Sequence, residues 1–189
     1  KDLMRMRLYI TLVAIFLCSL PWMNLDFVLR KFIFRPEKLD ATYTFEFKET
    51  FEEVFVESPD GAKLNGIWFP AKEAKFTILY FHGNRDNLVR WGEIAAKHTK
   101  YHANVLVMDY RTYGKSKGKI TEKLLNQDAI LWYEKAQELG RDLPIIAFGR
   151  SLGTGLASKI ASEKEVRGLI LETPYTSMVD VIDHYAPKW

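Results

Sequence analysis

The stretch that most constrains the fold runs from Leu143 to Gly155 and reads LPIIAFGRSLGTG. Pro144 opens a short apolar run, Ile145 to Phe148, of the length and type of a buried strand. Gly149-Arg150-Ser151-Leu152-Gly153 follows, then Thr154, Gly155 and a helical pattern. The spacing predicts a strand, a sharp turn carrying one serine, and a helix. A serine at the tip of such a turn sits in strained backbone, and Gly149 and Gly153 let neighbouring chain approach closely. The Ser151 hydroxyl then projects clear of the sheet. The backbone N–H of Leu152, at the helix N-terminus, points at a developing oxyanion. A GxSxG pentapeptide alone arises by chance in ordinary loops, but the strand before it and the helix after it argue against chance.

The 189 residues suffice for one domain with a sizeable core, and 48% hydrophobic with 27% charged residues is a globular composition. The net charge is +3, with no dense basic block interleaved with aromatics, so nucleic-acid binding has no support. One cysteine, Cys18, excludes an intrachain disulfide and a CxxC metal site. No cofactor and no metal are expected.

Leu8 to Met23 is almost wholly apolar and is preceded by Lys1, Arg5 and Arg7. At 1.5 Å per residue it falls short of a hydrocarbon core of roughly 30 Å, so flanking residues must help it span. Trp22 stands where an interfacial aromatic belongs. The reading adopted is one uncleaved N-terminal transmembrane anchor over residues 1–29. A cleaved signal peptide ranks second, and a buried soluble helix third for want of a polar face. Basic residues on both sides (Arg30, Lys31, Arg35 and Lys38 follow) leave the orientation open. The first residue is Lys, which suggests that some N-terminal sequence precedes it. Residues 30–50 are read as a membrane-proximal linker, and 51–189 as the folded domain.

Phe51 to Glu57 alternates apolar and charged residues as an edge strand does. Ser58-Pro59-Asp60-Gly61 is a turn, and Leu64 to Phe69 returns, predicting an antiparallel hairpin. Phe76 to Phe81 is a continuous apolar run, as for a strand covered on both faces, and it ends in His82-Gly83-Asn84. A helix with Leu88, Trp91, Ile94 and Ala95 inward follows. Next come a strand, Asn104 to Met108, ending at Asp109, and a helix, Leu124 to Leu139, stopped by Gly140. The serine strand and its helix precede a last strand, Val166 to Leu171. Strands alternating with helices predict a mostly parallel sheet with helices on both faces. Active sites gather at the carboxyl ends of such strands, where His82, Asp109, Ser151 and Glu172 fall.

Four ordered motifs carry a resemblance: Tyr80-Phe81-His82-Gly83-Asn84; Asp109-Tyr110-Arg111-Thr112-Tyr113-Gly114 with Ser116 and Gly118; Gly149 to Thr154; and Leu171-Glu172-Thr173-Pro174-Tyr175-Thr176-Ser177. From about Phe51 onward the chain resembles the α/β-hydrolase fold. It is most similar to the membrane-anchored abhydrolase-domain serine hydrolases, the Bem46-like group. Thr112 departs from that group's usual glycine, so its loop calls for a different backbone angle.

The resemblance implies Ser151 as nucleophile and the N–H groups of Leu152 and Asn84 as the oxyanion hole. It gives His82, Gly83, Gly149, Gly153 and Asp109 supporting roles. His82 shapes the oxyanion loop, and Asp109 anchors its own loop to backbone N–H groups. The triad order Ser, acid, His places the acid and base beyond the strand ending at Leu171. Only His184 follows Ser151, in a segment that resembles the helix before the family's last two strands. It is read as a surface residue, and those two strands, the acid and the histidine are expected after Trp189. His98 and His102 have a metal-like spacing but are read as a solvated helix face. Glu172 is given a packing or loop role.

The expected activity is cleavage of an ester, thioester or amide acyl group by a membrane-anchored serine hydrolase. Its partners would be the membrane and an acyl-containing substrate, a lipid or an acylated protein. The alternative is a non-catalytic scaffold subunit of a membrane complex, since fold does not imply function.

Overall fold

The computed structural model describes residues 34–176. The apolar run Leu8–Met23 and His184 lie outside them. Among the described residues no helix is long and apolar enough to cross a membrane.

Six strands form one sheet: β1 (Glu52–Glu57), β2 (Lys63–Phe69), β3 (Phe76–Phe81), β4 (Ala103–Met108), β5 (Ile145–Arg150) and β6 (Gly168–Glu172). Their order across the sheet is β1-β2-β4-β3-β5-β6. β1 and β2 form the expected hairpin, with Val54 opposite Gly66 and Glu57 opposite Lys63. Its turn closes through Gly61 N–H donating to the Ser58 carbonyl at 2.8 Å, with Gly61 at φ +78°. β2 runs antiparallel to β4, and β4, β3, β5 and β6 are parallel. Their carboxyl ends therefore share one edge of the sheet, which carries His82, Asp109, Ser151 and Thr173.

Among the described residues three helices cover the sheet: α1 (Leu88–Ala96), α2 (Glu122–Gly140) and α3 (Gly153–Glu163). Asn87 caps α1 by accepting Val89 N–H, and Thr121 caps α2 by accepting Leu124 N–H. Alternation along the strands sorts the core into two layers. Ile78, Tyr80, Val105, Val107 and Phe148 pack with Leu88, Trp91 and Ala95 of α1. On the other face Leu64, Phe81 and Met108 meet Leu125, Trp132 and Leu156 of α2 and α3. Trp132 packs its ring against Gly66 of β2, where an added Cβ would come 2.8 Å from the ring.

The segment expected to be linker is part of this core. Phe45 is buried, and Leu39, Phe47 and Phe51 pack beside it. Phe45, Phe47, Phe51 and Phe69 form a chain of ring contacts with centroids 5.0–6.3 Å apart. Phe47 fills the space over Gly92 of α1, where any side chain would collide with its ring. Burying one such ring is worth roughly 1.5–3 kcal/mol, so the strip from Leu39 onward belongs to the folded unit.

Two buried cations tie the hairpin to the rest. Arg111 is fully buried. Its guanidinium donates to both Asp128 oxygens on α2 at 2.6 and 2.9 Å, to both Asp60 oxygens in the hairpin turn at 2.6 and 3.0 Å, and to Ser58 Oγ at 2.8 Å. Lys115 donates to Glu53 of β1 at 2.8 and 3.1 Å and lies 4.9 Å from the Phe45 ring centroid. The Arg111 bonds hold the Asp60 carboxyl down at about 2, from an ordinary 3.8. A carboxyl depressed on folding stabilises above its unfolded value, and that contribution disappears as pH falls through its folded value. Acid titration of the unfolding midpoint from pH 5 to pH 2 is therefore expected to fall less steeply in Asp60→Asn than in the unsubstituted protein.

Candidate active site

The serine turn has the geometry its spacing predicts. β5 ends at Arg150, Ser151 turns the chain at φ +49°, and α3 begins at Gly153. A non-glycine residue in that left-handed region stores strain, and such strain concentrates at functional sites. It is held from both sides. Ser151 N–H donates to the Glu172 carbonyl at the end of β6 at 2.9 Å, and the Ser151 carbonyl accepts Thr154 N–H at 2.9 Å and Thr154 Oγ1 at 2.7 Å. The glycines are required sterically. A Cβ on Gly149 would lie 2.5 Å from the Gly153 carbonyl oxygen, and one on Gly153 would collide with the Phe81 carbonyl. Leu152 stands at the start of α3, where N–H groups have no intrahelical acceptor.

Beside the serine lies the loop after β3. A Cβ on Gly83 would sit 3.8 Å from Ser151 Cβ, so residues 82–84 border the serine directly. His82 is fully buried and surrounded by the rings of Trp91, Tyr110 and Tyr113, at 4.3–5.5 Å between centroids. Its Nδ1 lies 2.6 Å from the Gly83 carbonyl oxygen, and its Nε2 lies 3.3 Å from Asp109 Oδ1. The two nitrogens are turned to the Gly83 carbonyl and to Asp109, the arrangement of a residue that shapes its loop.

Asp109, fully buried at the end of β4, is placed as expected for a loop anchor. Its Oδ2 accepts Leu88 N–H at 3.2 Å, joining the β4 end to the start of α1. Burial pushes its carboxyl pKa up, and the facing His82 opposes that shift. Gly114 in the same loop has φ +46° and packs its Cα onto this carboxylate, which no side chain would permit.

The different backbone angle expected at Thr112 is not found, and the loop keeps the left-handed conformation that suits glycine. Thr112 sits at φ +72°, a conformation costly for a β-branched residue. Thr112→Gly is expected to raise stability by about 0.5–1 kcal/mol, read as a higher denaturation midpoint at unchanged m-value.

His98 does not lie on a solvated helix face. The chain tightens to a 3₁₀ turn, Lys97–Tyr101, after α1, and His98 packs against the Tyr80 and Phe148 rings at 5.9 and 5.2 Å. Burial lowers its pKa. His102, at φ +57°, caps that turn in the open. The two rings do not share a helix face. Glu172 pairs loosely with Arg150, 3.5 Å away, consistent with a packing role.

Sequence reasoning missed the donors that hold the serine's neighbour loop. Tyr110 Oη donates to the His82 carbonyl at 2.6 Å, Tyr113 Oη to the Asn84 carbonyl at 2.8 Å, and Trp91 Nε1 to the Arg85 carbonyl at 2.6 Å. The two tyrosines were visible within the Asp109-to-Gly114 motif, but their targets lie on another strand end.

The family model described as Hydrolase_4, serine aminopeptidase S33, matches residues 72–189. The protein bem46 of Schizosaccharomyces pombe is 29% identical over 75% of this chain and 50% of its own length. The lysophosphatidylserine lipase ABHD12 of Danio rerio is 33% identical over 53% of this chain and 28% of its own. The chain thus spans half or less of the length of these curated relatives. Among solved structures, the Pyrococcus furiosus esterase Pf2001 superposes with a TM-score of 0.57 at 26% identity, over 72% of this chain and 54% of that one.

Proposed function

The chain belongs to the Hydrolase_4 family of α/β-hydrolases and is related to the Bem46-like abhydrolase-domain proteins, and from that premise we propose a membrane-anchored serine hydrolase that cleaves an acyl ester, thioester or amide. The observation that carries the reading is Ser151 itself. It is held at φ +49° on a strand-to-helix turn, with glycine-only contacts on both sides and the 82–84 loop beside it.

In the proposed step Ser151 Oγ attacks the acyl carbonyl, and its proton passes to a histidine base. The carbonyl oxygen, now negative, is received by the N–H groups of Leu152 and Asn84. The intermediate collapses to an acyl-enzyme, and the departing alcohol, thiol or amine takes the proton. Water then attacks the acyl-enzyme by the same route and frees Ser151. Chain order puts the base and its acid later than β6 in the full-length protein.

The apolar run Leu8–Met23 supports an anchor, which would hold the site near the bilayer. A lipid acyl group is the substrate class this favours, and the name of the zebrafish relative points the same way. The test uses the full-length protein. Membranes washed with alkaline carbonate are expected to retain it and to hydrolyse p-nitrophenyl acyl esters and lysophospholipids. Release by carbonate would overturn the anchor. Retention without any hydrolysis would favour the scaffold reading.

A further inference from the structure

The chain enters its folded unit at the rim of the site. Pro36 ends a two-residue strand, Arg35–Pro36, that pairs with Arg85–Asp86, directly after the 82–84 loop beside Ser151. Beyond it the Glu37 carbonyl accepts Gly114 N–H at 2.9 Å and Asn87 Nδ2 at 3.2 Å, and Leu39 N–H donates to the Gly114 carbonyl at 3.0 Å. Asn87 caps α1 and Gly114 packs on Asp109, so this strip is locked to two loops on the carboxyl edge of the sheet. Six residues, 30–35, separate Pro36 from the apolar anchor read over residues 1–29, and at full extension they reach about 25 Å at most. Strands β3, β4 and β5 have six residues each, about 20 Å, and loops add to both edges. Turning the opposite edge to a bilayer would therefore need the tether fully stretched along the whole side of the sheet. Placing the carboxyl edge there needs no stretching.

We propose that the carboxyl edge of the sheet, with Ser151 and the 82–84 loop, faces the bilayer, and that Lys38 and Arg85 on its rim bind anionic phospholipid headgroups. This rests on the membrane-anchor reading above and deepens it by naming the face and the lipid class. Both side chains are exposed, and no ion pair among the described residues engages either. Arg90 nearby is held by Asp86. From Arg30 to Asp40 the sequence carries Arg30, Lys31, Arg35 and Lys38 against Glu37 and Asp40, a net positive stretch where the chain leaves the anchor. Basic side chains at a membrane surface draw anionic lipid, with an enrichment of about fivefold per charge. Lys72, Lys75, Lys97 and Arg141 stand on the opposite edge, so the entry point of the tether, and not charge alone, selects the carboxyl edge. A lipid acyl group then reaches Ser151 from the bilayer surface without crossing the body of the domain.

The experiment uses the full-length protein with Cys18→Ala, reconstituted in phosphatidylcholine vesicles and carrying a fluorophore on one introduced cysteine. Glu37→Cys places the probe on the rim, and Lys72→Cys places it on the opposite edge; both positions are exposed. Lipids with a nitroxide on the headgroup are expected to quench the rim probe at least about threefold more than the opposite one, since contact with the surface falls off within a Debye length or so. Equal quenching, or the reverse order, would overturn the orientation. For the lipid class, nitroxide-bearing phosphatidylglycerol is compared with nitroxide-bearing phosphatidylcholine. The anionic lipid is expected to half-quench the rim probe at about one fifth of the density, the enrichment expected for one charge. With Lys38→Gln and Arg85→Gln together, that preference is expected to fall at least about threefold, while quenching by phosphatidylcholine stays the same. No preference in the parent, or an unchanged one in the double variant, would overturn the headgroup assignment. Release of the protein by alkaline carbonate would remove the anchor and this proposal together. A retained protein with a quenched rim probe and no ester hydrolysis would sink the serine-hydrolase reading and leave the orientation standing.

Discussion

Ser151→Ala is expected to abolish acyl-ester hydrolysis, with kcat falling about 10⁶-fold while the protein stays folded. The size of the loss follows from what is removed. Without Oγ no acyl-enzyme forms, and the only remaining catalysis comes from donors around the carbonyl. The fold is expected to survive because the bonds to Ser151's own backbone are made by backbone groups and by Thr154. Ser151 N–H reaches the Glu172 carbonyl, and the Ser151 carbonyl receives Thr154 N–H and Oγ1. Alanine keeps all of these and has similar strain at φ +49°. Steady-state kinetics alongside a thermal melt checks both halves. A variant that melts with the parent and retains more than about a hundredth of its rate would remove Ser151 as nucleophile.

The largest stability effect is expected at Arg111. Its buried guanidinium makes five hydrogen bonds to Asp60, Asp128 and Ser58, joining the hairpin turn, the loop after β4 and α2. Arg111→Met keeps much of the side-chain length but leaves the buried Asp128 carboxylate without its cation. Breaking one side of a buried ion pair costs about 3–5 kcal/mol. For a folded unit of this size that is a fall in melting temperature of roughly 10 °C or more. Removing the stranded charge as well should recover part of the loss. In a double-mutant cycle, Arg111→Met with Asp128→Asn is expected to fall short of the sum of the single changes by about 0.5–3 kcal/mol. Additive losses would show that the three elements are held mainly by packing.

The strands and helices were legible because their apolar periodicities are local. Phe76 to Phe81 and Ile145 to Phe148 read as apolar runs and, with the strand expected from Asn104 to Met108, form the parallel centre of the sheet. The serine turn was legible for the same reason: strand, glycines, serine and helix all lie within a dozen residues. Thr112 was legible as an anomaly, but its φ of +72° is the angle glycine favours and not the different one expected. What local pattern could not carry were partners distant in sequence. Phe45 and Phe47 alternate with Thr, Glu and Lys and so read as linker; their burial is decided by α1 and Phe69. His98 was read as solvated because Tyr80 and Phe148 reach it from strands β3 and β5. The Arg111 hub and the Tyr110 and Tyr113 bonds to the His82 and Asn84 carbonyls were missed likewise, since each donor and acceptor sit on different strand ends or turns.

The measurement that tests the account most directly is the intact mass of the full-length protein after reaction with a fluorophosphonate, followed by peptide mapping. The account predicts one phosphonyl adduct, located on Ser151 in the peptide spanning Gly149 to Gly153, and none on Ser151→Ala. An adduct on a different residue, or no adduct under conditions that label an authentic serine esterase, would contradict it.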